Sequence, residues 1–137
     1  MIFESKNKVY DDNNVRYIAE WSVDTDTQTV THTDKDTLEV KEWSFHEDFV
    51  RYHLHYREEY SPELLQKVVN NGDILQYLEN LVEAVKDKID RQTEIWCEQD
   101  KDFQIANESG NLLEVGKIAN GYREQAKKAI YDAYVYV

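Results

Sequence analysis

The sequence predicts an α+β fold in one domain, with a small N-terminal antiparallel β-meander (residues 1–43) followed by a bundle of about four helices (residues 44–137). Apolar and polar residues alternate between residues 15 and 33, which is the period of a half-buried strand. After residue 44 the apolar residues recur every three or four positions, which is the period of an amphipathic helix. A chain of 137 residues is long enough to form one hydrophobic core.

Three strands are predicted for the meander. The first covers residues 15–23 and follows the turn-prone cluster Asp11–Asn14. The second is a Thr-rich strand near residues 27–33, since threonine favours strands, and a turn is expected near residues 34–36. The third contains Leu38, Val40 and Trp43.

Residues 45–60 admit two interpretations. Ser44 and Glu47 have the spacing of a capping box, which predicts a helix that begins at Phe45. Phe45, Phe49, Tyr52, Tyr56 and Tyr60 then continue at helical spacing. A strand is the alternative, because Val50, Tyr52, Leu54 and Tyr56 also alternate along the chain.

Three more helices are predicted further along. Ser61-Pro62 begins one that extends to Val69 and ends at Asn70-Asn71-Gly72. The longest covers Asp73–Asp102, with Asp73 as its cap. Residues 100–111 are interpreted as a connection with a break at Gly110-Asn111, and a short turn docked by Phe103 and Ile105 is the alternative within it. The last extends from Leu112 to about Tyr134, with a predicted buried stripe of Leu112, Val115, Ala119, Tyr122, Ala126, Ala129, Ile130, Ala133 and Val137. Gly116 and Gly121 lie inside this helix, where we expect close helix packing, with a bend as the alternative.

A row of carboxylates is the main functional clue. Along the longest helix, one face is apolar, and Glu79, Glu83, Asp87, Asp90, Glu94 and Glu98 fall within an arc of roughly 100° on another. The row is about 28 Å long with a step near ~6 Å. It is interpreted either as a solvated helix face, which the Asp87–Arg91 spacing favours, or as an anionic surface for a basic site, which the repulsion along the row favours.

Charge and composition limit the function. The formal net charge of −12 argues against direct binding to nucleic acid or to an anionic membrane, but it leaves basic protein partners open. The single cysteine, Cys97, excludes an intrachain disulfide and is typical of a reducing cytoplasm. No stretch resembles a signal peptide or a membrane span, so we expect a cytoplasmic protein.

Catalytic motifs and cofactor sites are not expected. His46, His53 and His55 lie near several carboxylates, but they lack the His-Glu-x-x-His spacing of a zinc site. Cys97 has no identifiable paired base, and four glycines leave little room for a phosphate-binding loop. We therefore expect no metal, no cofactor and no catalytic residues.

Two stretches resemble the small transposon-encoded TnpV family. Asn71–Leu78 is similar to that family's Ser-Gly-Lys-Leu turn and the helix carrying Tyr-Leu that follows it. Asn120, Arg123, Ala126, Ile130, Val135 and Tyr136 are spaced like the family's closing helix. The basic segment that precedes the turn in the family is replaced here by the aromatic stretch Tyr52–Tyr60. The resemblance implies a helical scaffold and an origin on a bacterial mobile element or phage, and it implies no catalytic residues.

Three hypotheses follow for the function. The first is a non-enzymatic inhibitor whose carboxylate row, together with Asp24, Asp26, Asp34 and Asp36, fills the basic nucleic-acid channel of a host enzyme such as a CRISPR nuclease. The second is an accessory module of a mobile element that associates with itself or with another protein through Tyr and Trp surfaces. The third is a metal-assisted enzyme that uses the region His46–Glu59.

Overall fold

The structure is a computed structural model that describes residues 1–10 and 17–137. Its strands are β1 (Ile2–Glu4), β2 (Lys8–Tyr10), β3 (Tyr17–Ala19), β4 (Trp21–Asp24), β5 (Thr29–Thr33) and β6 (Val40–Ser44). Its helices are α1 (Asp48–Tyr60), α2 (Pro62–Asn70), α3 (Ile74–Gln99), α4 (Lys101–Glu108) and α5 (Leu112–Ile130), and a π-helical turn over Tyr131–Val135 follows α5. The predicted α+β class is confirmed.

The four-stranded antiparallel sheet has the order β1-β4-β5-β6. Its register aligns Phe3, Val23, Val30 and Trp43 in one row across the strands. The first three of these side chains are buried, and so are Phe49, Val50 and Leu54 of α1 and Leu65 and Val69 of α2. Because successive side chains of a strand alternate between faces, the opposite face carries polar side chains such as Ser22, Thr31 and Glu42.

The contacts divide the chain into two compact units. The first unit contains Met1–Val82 together with Tyr136–Val137, and the second contains Glu83–Val135. Helices α1 and α2 therefore group with the sheet, and helices α4 and α5 group with the second part of α3.

The predicted meander is confirmed for β4, β5 and β6. The strand predicted over residues 15–23 is divided instead, because β3 pairs with β2 in a separate two-stranded sheet, whereas β4 pairs with β1 and β5. The predicted cluster Asp11–Asn14 lies outside the described residues. Strand β1 was not expected, since three residues are too few to show an alternating pattern.

Residues 48–60 are helical, so the helical interpretation is correct and the strand alternative is wrong. The predicted start at Phe45 is also wrong. Ser44 ends β6 opposite Thr29, and the backbone N–H of Phe45 donates to the carbonyl of Gln28. These sheet contacts hold the chain extended, and α1 begins at Asp48 with no side-chain cap at Glu47.

Helix α2 ends in a Schellman motif. The N–H of Asp73 donates to the carbonyl of Val68, the N–H of Gly72 donates to that of Val69, and Gly72 has a φ of +76°. Helix α3 begins directly afterwards, so the predicted break between these helices is confirmed. None of the described helices is long and apolar enough to cross a membrane.

Helix α4 lies where a connection was predicted, so that prediction is wrong for residues 101–108. Asp100 caps the helix, and its Oδ1 accepts a hydrogen bond of 2.9 Å from the N–H of Phe103. Its other oxygen accepts one from the hydroxyl of Tyr122 on α5. Only Ala106 of this helix is buried, so no apolar stripe marked it in the sequence.

We expect Tyr122→Phe to change the pH dependence of stability. The Tyr122 hydroxyl, followed by the N–H of Phe103, lowers the pKa of Asp100 from its ordinary value of 3.8. A lowered folded-state pKa stabilises the fold above the ordinary pKa, and this contribution is lost as the pH falls through the folded-state pKa. Urea unfolding of both proteins between pH 2 and pH 7 should therefore give midpoints that converge at the acidic end. A difference that is independent of pH would contradict this expectation.

The buried stripe predicted for the last helix is only partly correct. Ala126 is buried, and Val115, Ala119, Tyr122 and Ile130 are half-buried. Leu112, Ala129, Ala133 and Val137 are exposed. The close packing predicted at Gly116 and Gly121 is wrong, because a Cβ atom at either position would meet nothing within 4 Å among the described residues.

Candidate functional site

All six carboxylates of the predicted row on α3 are exposed. Glu79 belongs to the first unit, and the other five belong to the second. We call those five, Glu83, Asp87, Asp90, Glu94 and Glu98, the acidic row. The helix is continuous from Ile74 to Gln99, so the row extends about 22 Å with a mean step of ~6 Å.

Two members of the acidic row form ion pairs. Asp90 accepts a hydrogen bond of 2.7 Å from Arg123 of α5, and Asp87 lies 3.3 Å from Arg91 one turn further along α3. Both pairs are exposed, so each contributes little to stability and can be replaced by a stronger partner. Glu83, Glu94 and Glu98 form no ion pair within the described part of the chain.

The negative charge of the chain is not concentrated around the acidic row. The second unit contains eleven acidic and eight basic residues, which leaves −9 of the net −12 in the first unit. The acidic row is therefore distinguished by the alignment of its five carboxylates along one helix face, and not by a high net charge of that unit.

The four aspartates of the meander have different surroundings. Asp24 accepts hydrogen bonds from the N–H groups of Asp26 and Thr27, and Asp34 accepts them from those of Asp36 and Thr37. Both are turn-forming carboxylates, and the backbone donors lower the pKa of Asp34. Asp26 is exposed but lies 2.7 Å from the terminal ammonium of Met1 and 3.0 Å from His55 Nε2. Asp36 is exposed.

The histidines of α1 and the preceding loop do not converge. His46 is exposed, His55 contacts Asp26, and His53 is buried with its Nε2 2.5 Å from the hydroxyl of Tyr77. Across residues 1–7 and 17–137, no group of three or more His, Cys, Asp or Glu side chains is placed to hold a metal ion. Burial raises the pKa of Cys97, which favours the unreactive thiol at neutral pH.

Several of the aromatic residues that were predicted to form an interaction surface contact one another, but Tyr60, Tyr134 and Tyr136 remain exposed. Trp21 stacks with Trp43 at 6.2 Å between ring centroids, and Tyr136 lies 6.4 Å from Tyr52 within the first unit. The most exposed large side chains of the second unit are aliphatic instead. Ile105, Leu112 and Leu113 are 64%, 79% and 86% exposed. Sequence periodicity did not predict this exposed apolar group, because it placed Leu112 in the buried stripe of the last helix.

Comparison with protein-family models, with curated proteins and with solved structures gives no match for this chain. The resemblance to the TnpV family therefore stays a prediction from sequence.

Proposed function

We propose that this chain is a non-enzymatic acidic binding protein of a phage or mobile element, and that it inhibits a host defence enzyme by occupying its basic nucleic-acid-binding site. Anti-CRISPR proteins that mimic DNA are the class of inhibitor meant. The observation that carries the proposal is the acidic row, five exposed carboxylates along one face of a continuous helix. Their step is of the same order as the spacing of phosphates along a DNA strand.

The physical basis is charge complementarity. A channel lined with Lys and Arg binds DNA largely through phosphate contacts, and a fixed row of carboxylates offers it an alternative anion. A helix holds this row without further ordering, which reduces the entropic cost of binding. Association of this kind is fast at low salt and is weakened as salt increases.

The test is a variant that removes the three unpaired charges of the acidic row, Glu83→Gln, Glu94→Gln and Glu98→Gln. It is measured against purified CRISPR nucleases that capture the natural chain at low salt, with and without competing DNA. We expect at least a tenfold loss of affinity for the nuclease, because close charge pairs across an interface couple strongly. DNA should displace the natural chain.

The matched control changes three exposed glutamates of the first unit, Glu39→Gln, Glu42→Gln and Glu63→Gln. It alters the net charge by the same amount and leaves the acidic row intact. Retained helical circular dichroism in both variants ensures that the comparison reports on binding. An equal loss of affinity in both variants, or no loss in either, would contradict the proposal.

The second candidate is a self-associating accessory module. The observation in its favour is the exposure of Ile105, Leu112 and Leu113, because exposed apolar side chains of this size mark interaction surfaces when they cluster. The partner is a second copy of the chain. The salt series of the same experiment separates the candidates, since apolar association persists at high salt and the charge-based complex does not.

A further inference from the structure

A cleft of about 260 Å³ lies within the first unit, between the end of α1, helix α2 and the start of α3. Arg57, Lys67 and Tyr77 provide its main polar groups. Leu64, Leu65 and Val68 of α2 provide its apolar side. The cleft shares no lining residue with the acidic row, and nothing in the proposed inhibition requires it.

The guanidinium of Arg57 is unusual in this chain. It is half-buried, its Nη1 donates a hydrogen bond of 3.2 Å to the hydroxyl of Ser61, and its Nε is buried without a hydrogen-bond partner. It forms no ion pair with a carboxylate of the described residues, although the chain has 28 acidic residues. A guanidinium offers five N–H donors in a fixed geometry. The Nε–H of Arg57 is enclosed and one Nη1 N–H is engaged with Ser61, so a ligand in the cleft would be bound through the remaining Nη N–H groups.

The charges around the cleft favour a monoanion. Arg57 and Lys67 are positive, and Asp73 is the one carboxylate among the lining residues. These three charged residues sum to a net charge of +1, in a chain whose net charge is −12. A net charge of +1 matches a carboxylate better than a doubly charged phosphate. Tyr77 also lines the cleft, and its hydroxyl lies 2.5 Å from His53 Nε2.

We propose that this cleft binds a small monocarboxylate with a short aliphatic chain. The carboxylate accepts hydrogen bonds from Arg57 and Lys67, in the planar geometry that a guanidinium matches. The aliphatic part lies along Leu64, Leu65 and Val68, where it is removed from water. The cleft volume limits the ligand to a few carbon atoms.

The test is an NMR titration of the full ¹⁵N-labelled chain with acetate, butyrate and hexanoate at constant ionic strength. We expect saturable shifts at the Arg57 Nε–Hε and at the amide of Val68. Each methylene that enters the cleft should tighten binding about fourfold until the apolar side is covered. Arg57→Gln should weaken butyrate binding about tenfold or more, because a hydrogen-bonded charge is lost.

The matched control is Arg51→Gln, which removes the same charge from the same helix. Arg51 is exposed, lies 5.8 Å from the ring centroid of Tyr52 and does not line the cleft, so butyrate binding should be unchanged. Lys67→Gln, at an exposed position that does not threaten folding, should also weaken binding. Shifts that grow linearly without saturation, equal affinities in Arg51→Gln and Arg57→Gln, or inorganic phosphate binding more tightly than butyrate would each overturn the proposal.

Discussion

Leu54→Ala is expected to lower the free energy of unfolding by about 3 kcal/mol, in the lower part of the range measured for buried leucines. Leu54 is completely buried on α1, beside Phe49, Val50 and His53 of the same helix, which are buried as well. Truncation removes the apolar transfer energy of the side chain and leaves a cavity that a close-packed core fills only partly. Urea unfolding followed by circular dichroism measures the change.

The matched control for this prediction is Glu59→Ala on the same helix. Glu59 is exposed, so the change should alter stability by no more than about 0.5 kcal/mol. A loss below about 1 kcal/mol in Leu54→Ala would contradict the burial of this face. The buried positions 49, 50, 53 and 54 follow a helical period, whereas a strand would place Tyr52 and Tyr56 on the face of Leu54.

Sequence patterns predicted the elements whose signal is local. The Thr-rich strand β5 and the long amphipathic helix α3 each show a clear period over many residues, and both were found. Asn70-Asn71-Gly72 ended α2 as expected, because a glycine with positive φ is a local requirement of that helix end. The exposure of the acidic row was not predicted and comes from the structure, in which the opposite face of α3 carries the buried Val85 and Ile89.

The sequence predictions that the structure contradicts, and the contacts that the sequence did not reveal, depend on tertiary contacts. The capping box at Ser44 was overridden because Ser44 lies in β6 and its hydroxyl is 3.3 Å from that of Thr29. Helix α4 has one buried residue and no stripe, although the cap Asp100 was a readable signal. The partner of Asp90 is Arg123, 33 residues away, and the unpaired state of Arg57 depends on three separate elements. No window of sequence contains such information.

The glycines provide the second prediction, in which the same substitution changes stability in opposite directions. Gly72→Ala should lower the free energy of unfolding by about 2 kcal/mol, from the left-handed backbone together with a steric contact. An added Cβ would lie 3.0 Å from Trp21 Nε1. The Trp21 ring packs against the rings of His32 and Trp43, with centroid separations of 4.3 Å and 6.2 Å. Thermal or urea unfolding measures the loss.

Two other glycines separate these contributions. Gly110 closes α4 in the same Schellman motif with a φ of +75°, but a Cβ there meets no atom of the described residues within 4 Å. Gly110→Ala should therefore cost only about 1 kcal/mol for the backbone. Gly121 lies inside α5 with open space around it, and Gly121→Ala should stabilise the protein by about 1 kcal/mol because alanine favours a helix.

The glycine-to-alanine changes should therefore range from most destabilising at Gly72, through Gly110, to stabilising at Gly121. This order follows from the φ angle of each glycine and from the distance of the added Cβ to Trp21. Equal costs at Gly72 and Gly110 would mean that the Trp21 ring yields. A loss of stability in Gly121→Ala would contradict the open space around this position.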